Sequence, residues 1–369
     1  TPYSNWRLLD CRSRPKDLIN RAIELGLSGI SITDHETLAS HMEINLFAKK
    51  LKEKYPDFKV ALGNEIYLCP SRENGQRYYH FILIAKNKDG HRALRELSSR
   101  AWMNSYYDRG MERVVTLYDD LSEIVNKYPN SLIATTACLG GELSVNTLKL
   151  INCEKVQDIE GAEEAHNNIV NFILFCKQLF WEDFYTECAP GQSKEQIAVN
   201  KRLVSIAKYF GLKMVIGSDA HYLKKEDRFV HKAYLNSKGG EREVDDFYEY
   251  AYLQTEEEIK ENIEASYLDY ERLVQNSYEI YEKIENYSLE HKQTIPRVEV
   301  KYYEPINYES DFTGRYKKEW NFPTIDELLC SDNPQETYWV NECLDALKEK
   351  NLYSTEYLKR LEVEADIIK

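Results

Sequence analysis

Short apolar runs alternate with amphipathic helical segments over roughly the first 235 residues, in units of about 30. "PKDLINRAIELGL" has helical spacing, with Pro15 suited to a first turn and Gly26 as its stop. "SGISITDH" then reads as a short buried strand, "TLASHMEINLFAKKLKEKY" as a helix and "FKVALGNEIYL" as a strand. Asn74-Gly75 marks a tight turn before the strand "YYHFILIA". Helix "HRALRELSSRAW", strand "SLIATTACL", helix "AHNNIVNFILFCKQLF", strand "DFYTEC", helix "SKEQIAVNKRLVSIAKYFGL" and strand "KMVIGSDAH" complete the series. Such repetition predicts an α/β fold of parallel strands joined by right-handed crossovers, and six or seven units favour a barrel over an open sheet.

After residue 285 the period is lost. "YSLEHKQTIPRVEVKYYEPINYESDFTGRY" is polar and proline-bearing, and reads as an extended connection. The tail, "QETYWVNECLDALKEKNLYSTEYLKRLEVEADIIK", is helical and charged; it is expected to lack a core of its own size and to pack on something else. These features place a boundary near residue 290, giving domains 1–290 and 291–369.

The chain carries 43% hydrophobic and 30% charged residues, as a globular protein does, and no apolar run approaches the roughly 20 residues needed to cross a bilayer. Its eight cysteines are scattered without a CxxC pair, which reads as reduced thiols of a cytoplasmic protein. The net charge of −14 excludes nucleic-acid binding by bulk positive charge, so a phosphate-bearing substrate must meet metal ions or a few placed Lys and Arg. The 28 tyrosines form no obvious stacking array in the sequence and receive no functional weight. No P-loop, GxGxxG or G-x-S-x-G motif appears.

The expected strand ends share a property. "ISITDH" closes on Asp34-His35, "VALGNE" on Glu65, "IATTAC" on Cys138, "FYTE" on Glu187 and "VIGSDAH" on Asp219 and His221. In parallel α/β architectures these ends form one face, where active sites sit. His, Asp, Glu and Cys together are the ligands of zinc, manganese and iron. Each alone has a plainer reading: Asp34 as a helix cap, Cys138 as a small buried hydrophobe, Glu65 as a solvated acid. Their coincidence on one face points to a metal cluster. His41, His91, His166, His231 and His291 lie in helical patterns and are assigned to surfaces or ordinary packing.

In this order, "ISITDHETLASHMEINLFAKK", "LGNEIYL", "YYHFILIAKNKDGHRALREL", "ATTACLGGEL" and "GSDAHYLKKED" resemble a PHP (polymerase and histidinol phosphatase) domain. More narrowly, they resemble the amino-terminal part of bacterial-type DNA polymerase III alpha subunits, and "ACLGGEL" belongs to that branch. The resemblance covers about residues 1–285, and "YLKRLEVEADIIK" resembles the helix leading into the polymerase palm. It implies a distorted (βα)7 barrel, then an extended connection and a short helical segment leading to a palm, with up to nine ligands holding three divalent metals. The positions matching that ligand set are Asp10, His35, Glu65, His80, Cys138, Asp219 and His221. A symmetric hairpin about Asn74-Gly75 would set His80 opposite Cys69 rather than Glu65, so His80 rests on the resemblance. The family's opening His-x-His pair precedes a stretch like "TPYS", and Thr1 is the first residue here, so seven of nine ligands are expected.

The resemblance further implies phosphodiester hydrolysis, as a 3′–5′ proofreading exonuclease supporting DNA replication, with Asp10, His35, Glu65 and Asp219 in catalytic roles. Glu65 is expected to bridge, and a Cys138 thiolate to favour zinc or iron, with manganese expected too and magnesium admitted. DNA, as a single-stranded 3′ end or primer-template, is the expected partner through an intact polymerase, with a proofreading subunit and other replisome subunits besides. No palm aspartates are present, so this segment is not expected to polymerise DNA. Two other readings stand: an inactive PHP scaffold that docks a separate exonuclease, and a free phosphatase acting on a monoester such as histidinol phosphate.

Overall fold

The computed structural model describes residues 2–4, 11–237, 246–294, 298–304 and 321–368. They fall into two compact units, Thr1–Glu290 and His291–Lys369.

The first unit opens with α1 (Pro15–Glu24), β1 (Gly29–His35), α2 (His41–Leu51), β2 (Lys59–Cys69), β3 (Tyr79–Ala85) and α3 (Lys88–Met103). Three short strands, β4 (Tyr106–Asp108), β5 (Met111–Arg113) and β6 (Thr116–Leu117), precede α4 (Tyr118–Lys127) and β7 (Leu132–Thr135). Then come α5 (Glu142–Val156), α6 (Ile159–Phe180), β8 (Phe184–Cys188), α7 (Lys194–Phe210), β9 (Lys213–Ile216), α8 (Arg228–Asn236), α9 (Glu256–Glu264) and α10 (Tyr270–Lys283). Local signals set several boundaries. Asn87 caps α3 by accepting from the Asp89 and Gly90 amides, Ser193 caps α7, and Gly211 ends α7 in the left-handed region.

The main sheet runs β1-β2-β3-β7-β8-β9, with β6 also on β2. The neighbours β1–β2, β7–β8 and β8–β9 are parallel, as the helical crossovers require. The expectation of parallel strands throughout fails at β3, which is antiparallel to both β2 and β7. A loop, not a helix, joins β2 to β3, so the chain turns back on itself. Every residue from Ala61 to Cys69 is buried, as expected of a strand covered on both faces. Ile66, Leu68, Phe81 and Leu83 pack outward against Leu94 and Leu97 of α3 and Phe172 and Ile173 of α6.

The inner face shows that the sheet curls. Ala61, Ile84, Ile133, Tyr185 and Val215, one from each of five strands, meet in one cluster with Ile284. Counting along each strand in twos from this apolar floor reaches the polar residues of the site. Ala61 leads to Glu65, Ile133 to Thr135, Tyr185 to Glu187, and Val215 through Gly217 to Asp219. On β3 the count runs backwards, from Ile84 to His80, because that strand is reversed.

The second unit corrects the expectation that the tail lacks a core. Helices Pro323–Leu329, Pro334–Glu349 and Thr355–Ile368 bury Phe322, Ile325, Leu328, Leu329, Val340, Leu344, Leu358 and Ala365 among themselves. Residues 291–294 and 298–304 carry no regular secondary structure. No helix of the described residues is long and apolar enough to cross a membrane.

Candidate metal centre

His35, Glu65 and His80 present ligand atoms that all lie within 4.8 Å of one another. Register explains the first pair: His35 ends β1 directly beside Glu65 on the parallel strand β2. His80 stands opposite Tyr67 rather than Cys69. Tyr67 and Glu65 share a face of β2, so the His80 imidazole reaches diagonally and sets Nδ1 2.7 Å from Glu65 Oε1. His35 Nδ1 is 3.8 Å from Glu65 Oε2. Burial works to raise the Glu65 carboxyl, but the His35 and His80 charges overcome it and hold it at about 2.

Cys138 follows β7 in the turn "ACLGG", with Sγ 3.4 Å from His80 Nδ1. Two glycines permit this approach. A Cβ on Gly140 would lie 3.0 Å from His80 Nδ1, and one on Gly141 would lie 2.0 Å from the Thr136 carbonyl oxygen. The His80 amide donates to the Gly140 carbonyl, so the turn and the start of β3 are stitched together. Burial, then the Asp219 and Glu65 charges, push the Cys138 thiol well above its ordinary value.

Asp219 and His221 lie beyond β9. Asp219 takes a left-handed backbone, φ 40°. The His221 ring turns back so that Nδ1 donates to the Asp219 carbonyl at 2.8 Å, which places the lone pair on Nε2. The His221 carbonyl accepts from the Cys11 thiol and from Ser13 Oγ, while its amide donates to the Ala251 carbonyl. Burial raises the Asp219 carboxyl, opposed by His221 and reinforced by Glu65. The structure thus gathers His35, Glu65 and His80 tightly, with Cys138 beside them and Asp219 and His221 close enough to act on their charges. Asp10 lies outside the described residues.

One strand-end acid left out of the expected ligand set belongs here. The buried Glu187 accepts from Thr135 Oγ1 at 2.5 Å, and its amide donates to Thr136 Oγ1. Its carboxylate lies flat on Gly217, where a Cβ would come within 1.7 Å of Oε1. Burial, opposed by Thr135 and then supported by Asp219 and Glu65, pushes its carboxyl up to about 7. The period of two from Tyr185 was the available signal. Glu36, next to His35, is also fully buried; burial lifts it to about 8 against the Tyr67 amide that it accepts from.

The donors suit a divalent cation. Imidazole nitrogen, carboxylate oxygen and thiol sulfur are the set that binds zinc, iron and manganese. Ligands about 2.0–2.3 Å from one ion lie no more than about 4.6 Å apart, close to the spread seen here. Glu65 and Glu187 are buried and Asp219 is half-buried, the three lie close enough to act on one another, and the positive groups acting on Glu65 and Asp219 are imidazoles. Clustered carboxyl groups, two of them raised by burial and by one another, suit a cation, whose charge would favour their ionised forms.

Comparison with known proteins agrees with this geometry. The PHP domain family matches residues 2–191. "Probable DNA polymerase YorL" of Bacillus subtilis strain 168 is 41% identical over 315 residues, covering 81% of this chain and 24% of that protein. The "DNA-directed DNA polymerase" of Bacillus phage SPbeta matches with the same figures. "DNA polymerase III subunit alpha" of Borreliella burgdorferi is 31% identical over 232 residues, covering 61% of this chain and 18% of that protein. The chain therefore spans about a quarter or less of the length of these relatives. With the family match covering more than half of its residues, the chain belongs to the PHP domain family, and DNA polymerase III alpha subunits are among its relatives.

Proposed function

We propose that this chain is the amino-terminal PHP region of a replicative DNA polymerase and that its metal centre hydrolyses phosphodiesters, as a 3′–5′ exonuclease. The observation that carries the reading is the His35–Glu65–His80 set, its first two members buried and His80 half-buried, with Cys138 3.4 Å from His80. His35, Glu65 and His80 would hold a divalent cation, with Cys138, Asp219 and His221 as further ligands and Glu65, whose two oxygens face different imidazoles, as the candidate bridge to a second cation. Divalent cations bound there supply neutralisation of the phosphate oxygens and activation of water.

The chain's own residues do the rest. His221 Nδ1 donates to the Asp219 carbonyl, which fixes the orientation of the imidazole beside Asp219. Glu187, held by Thr135 and wedged on Gly217, fixes the start of the segment that carries Asp219. The rigid "ACLGG" turn holds Cys138 against His80 and keeps the thiol from drifting into solvent. Residues 291–369 then serve as the connection towards a polymerase palm, and DNA is met through the intact polymerase.

The test is metal analysis joined to digestion. Purified protein should carry divalent metal in proportion to protein, lost in Glu65→Gln, and should shorten single-stranded DNA from its 3′ end with manganese. Stoichiometric metal without digestion would replace the exonuclease by the scaffold reading. Turnover of histidinol phosphate with no effect on DNA ends would replace it by the free phosphatase.

A further inference from the structure

The tyrosines are not merely compositional. Tyr67, on the same face of β2 as Glu65, packs its ring 5.3 Å from His35 and 5.2 Å from His80. Tyr78 lies on Tyr67, with ring centroids 4.7 Å apart and planes at 36°. The Arg113 guanidinium sits 5.8 Å from the Tyr78 ring, and that of Arg77 lies 5.4 Å from Tyr79. A continuous line of rings therefore runs from the metal-centre imidazoles to an arginine at the rim.

The line emerges where two loops meet. β4 and β5 form a hairpin turned by Arg109-Gly110, both at positive φ, and a Cβ on Gly75 of the β2–β3 loop would lie 4.0 Å from Arg109 Nη2. Arg77 and Arg109 are exposed and Arg113 is half-buried. None of the three forms a salt bridge among the described residues, whereas nearby Arg72 and Arg100 are tied to Asp120 and Glu123. Residues 70–79 and 105–113 hold four arginines (72, 77, 109, 113) against three acids (73, 108, 112), in a chain whose net charge is −14. Tyr107 is 71% exposed on the same hairpin.

We propose that this double-loop rim is a binding track for single-stranded DNA, which it delivers to the metal centre. The inference rests on the phosphodiesterase reading and adds the surface that receives the strand. Unpaired bases stack on Tyr78 and Tyr107, while Arg77, Arg109 and Arg113 meet backbone phosphates. Aromatic faces serve an unpaired strand, because in a duplex the bases are already stacked on one another. Separated, unpaired arginines supply the placed positive charge that an acidic chain otherwise lacks.

The test is fluorescence anisotropy of a labelled oligothymidylate of about 20 nucleotides, with the 369-residue chain in EDTA so that no strand is cut. Arg77→Ala combined with Arg113→Ala should weaken binding about tenfold and flatten the log K against log salt slope by about 1.4. Tyr78→Ala should weaken it about fivefold or more, and Tyr78→Phe, which keeps the ring, should restore it. Lys208→Ala, exposed on α7, should bind as the parent does. No binding by the parent, equal binding by the double arginine variant, or equal affinity for duplex would overturn the track. Hydrolysis of bis(p-nitrophenyl) phosphate with manganese tests the metal centre separately. If that fails while arginine-dependent binding persists, the phosphodiesterase reading falls and the strand-binding surface stands.

Discussion

Beneath the metal centre, two buried imidazoles should make the fold acid-sensitive. His41 Nε2 donates to the Gly63 carbonyl at 3.0 Å, which leaves His41 Nδ1 to accept from His91 Nε2, also at 3.0 Å. Both rings are buried and must be neutral to keep this chain of hydrogen bonds. Burial lowers His41 to about 4 against the Gly63 carbonyl, and burial with the His41 charge lowers His91 to about 3. Folded values below the unfolded value of about 6.5 mean that the unfolded chain takes up protons first as pH falls. The stabilisation is therefore complete above about pH 6.5 and is lost below it, at about 1.4 kcal/mol per pH unit for each ring. Between about pH 7.5 and pH 5, both above the folded values, each ring costs about 2 kcal/mol and the pair about 4 kcal/mol. Urea unfolding in EDTA at those two pH values measures it, with His91→Gln as the comparison, since the Gln amide can still donate to His41. The variant should lose about 2 kcal/mol less than the parent over this interval. An unchanged pH dependence would refute the claim that both rings are held neutral.

Gly217→Ala places a methyl group where the Glu187 carboxylate lies, so cation affinity measured by calorimetry should fall about 10–100-fold although no proposed ligand is altered. Saturating manganese at about 100 times its dissociation constant should stabilise the first unit by about 2.7 kcal/mol, seen as a rise of about 4 °C in Tm that EDTA reverses. Cys138→Ser should shift the preference from zinc towards manganese by about tenfold in competition binding, because the soft donor is lost. Leu97→Ala, in the outer core, should cost about 2–5 kcal/mol in urea unfolding and leave metal stoichiometry unchanged.

Strand and helix identities were legible along most of the first unit, because burial on both faces of β2 and on one face of α3 imposes a period that the residues must obey. His35 and Glu65 could be placed together from strand ends alone, since parallel neighbours in register bring their carboxyl ends to one rim. His80 could not, and only the family resemblance put it forward. Its strand is reversed, so it approaches the rim from the beginning rather than the end, and its partner is diagonal. Glu187 ends a strand in plain view, yet its place against Gly217 depends on how far β8 and β9 curl, which no spacing along the chain encodes.

The amino-acid order by itself determined which side chains face inward on each strand and which donor types stand at the ends, because alternation in a strand is a local property of the backbone. Only the tertiary structure decided that β3 turns back, that Tyr67 and Tyr78 form a line out of the metal centre, and that His41 meets His91 across 50 residues. Those contacts join segments far apart in the chain, and their geometry is set by the curl of the sheet that brings the segments together.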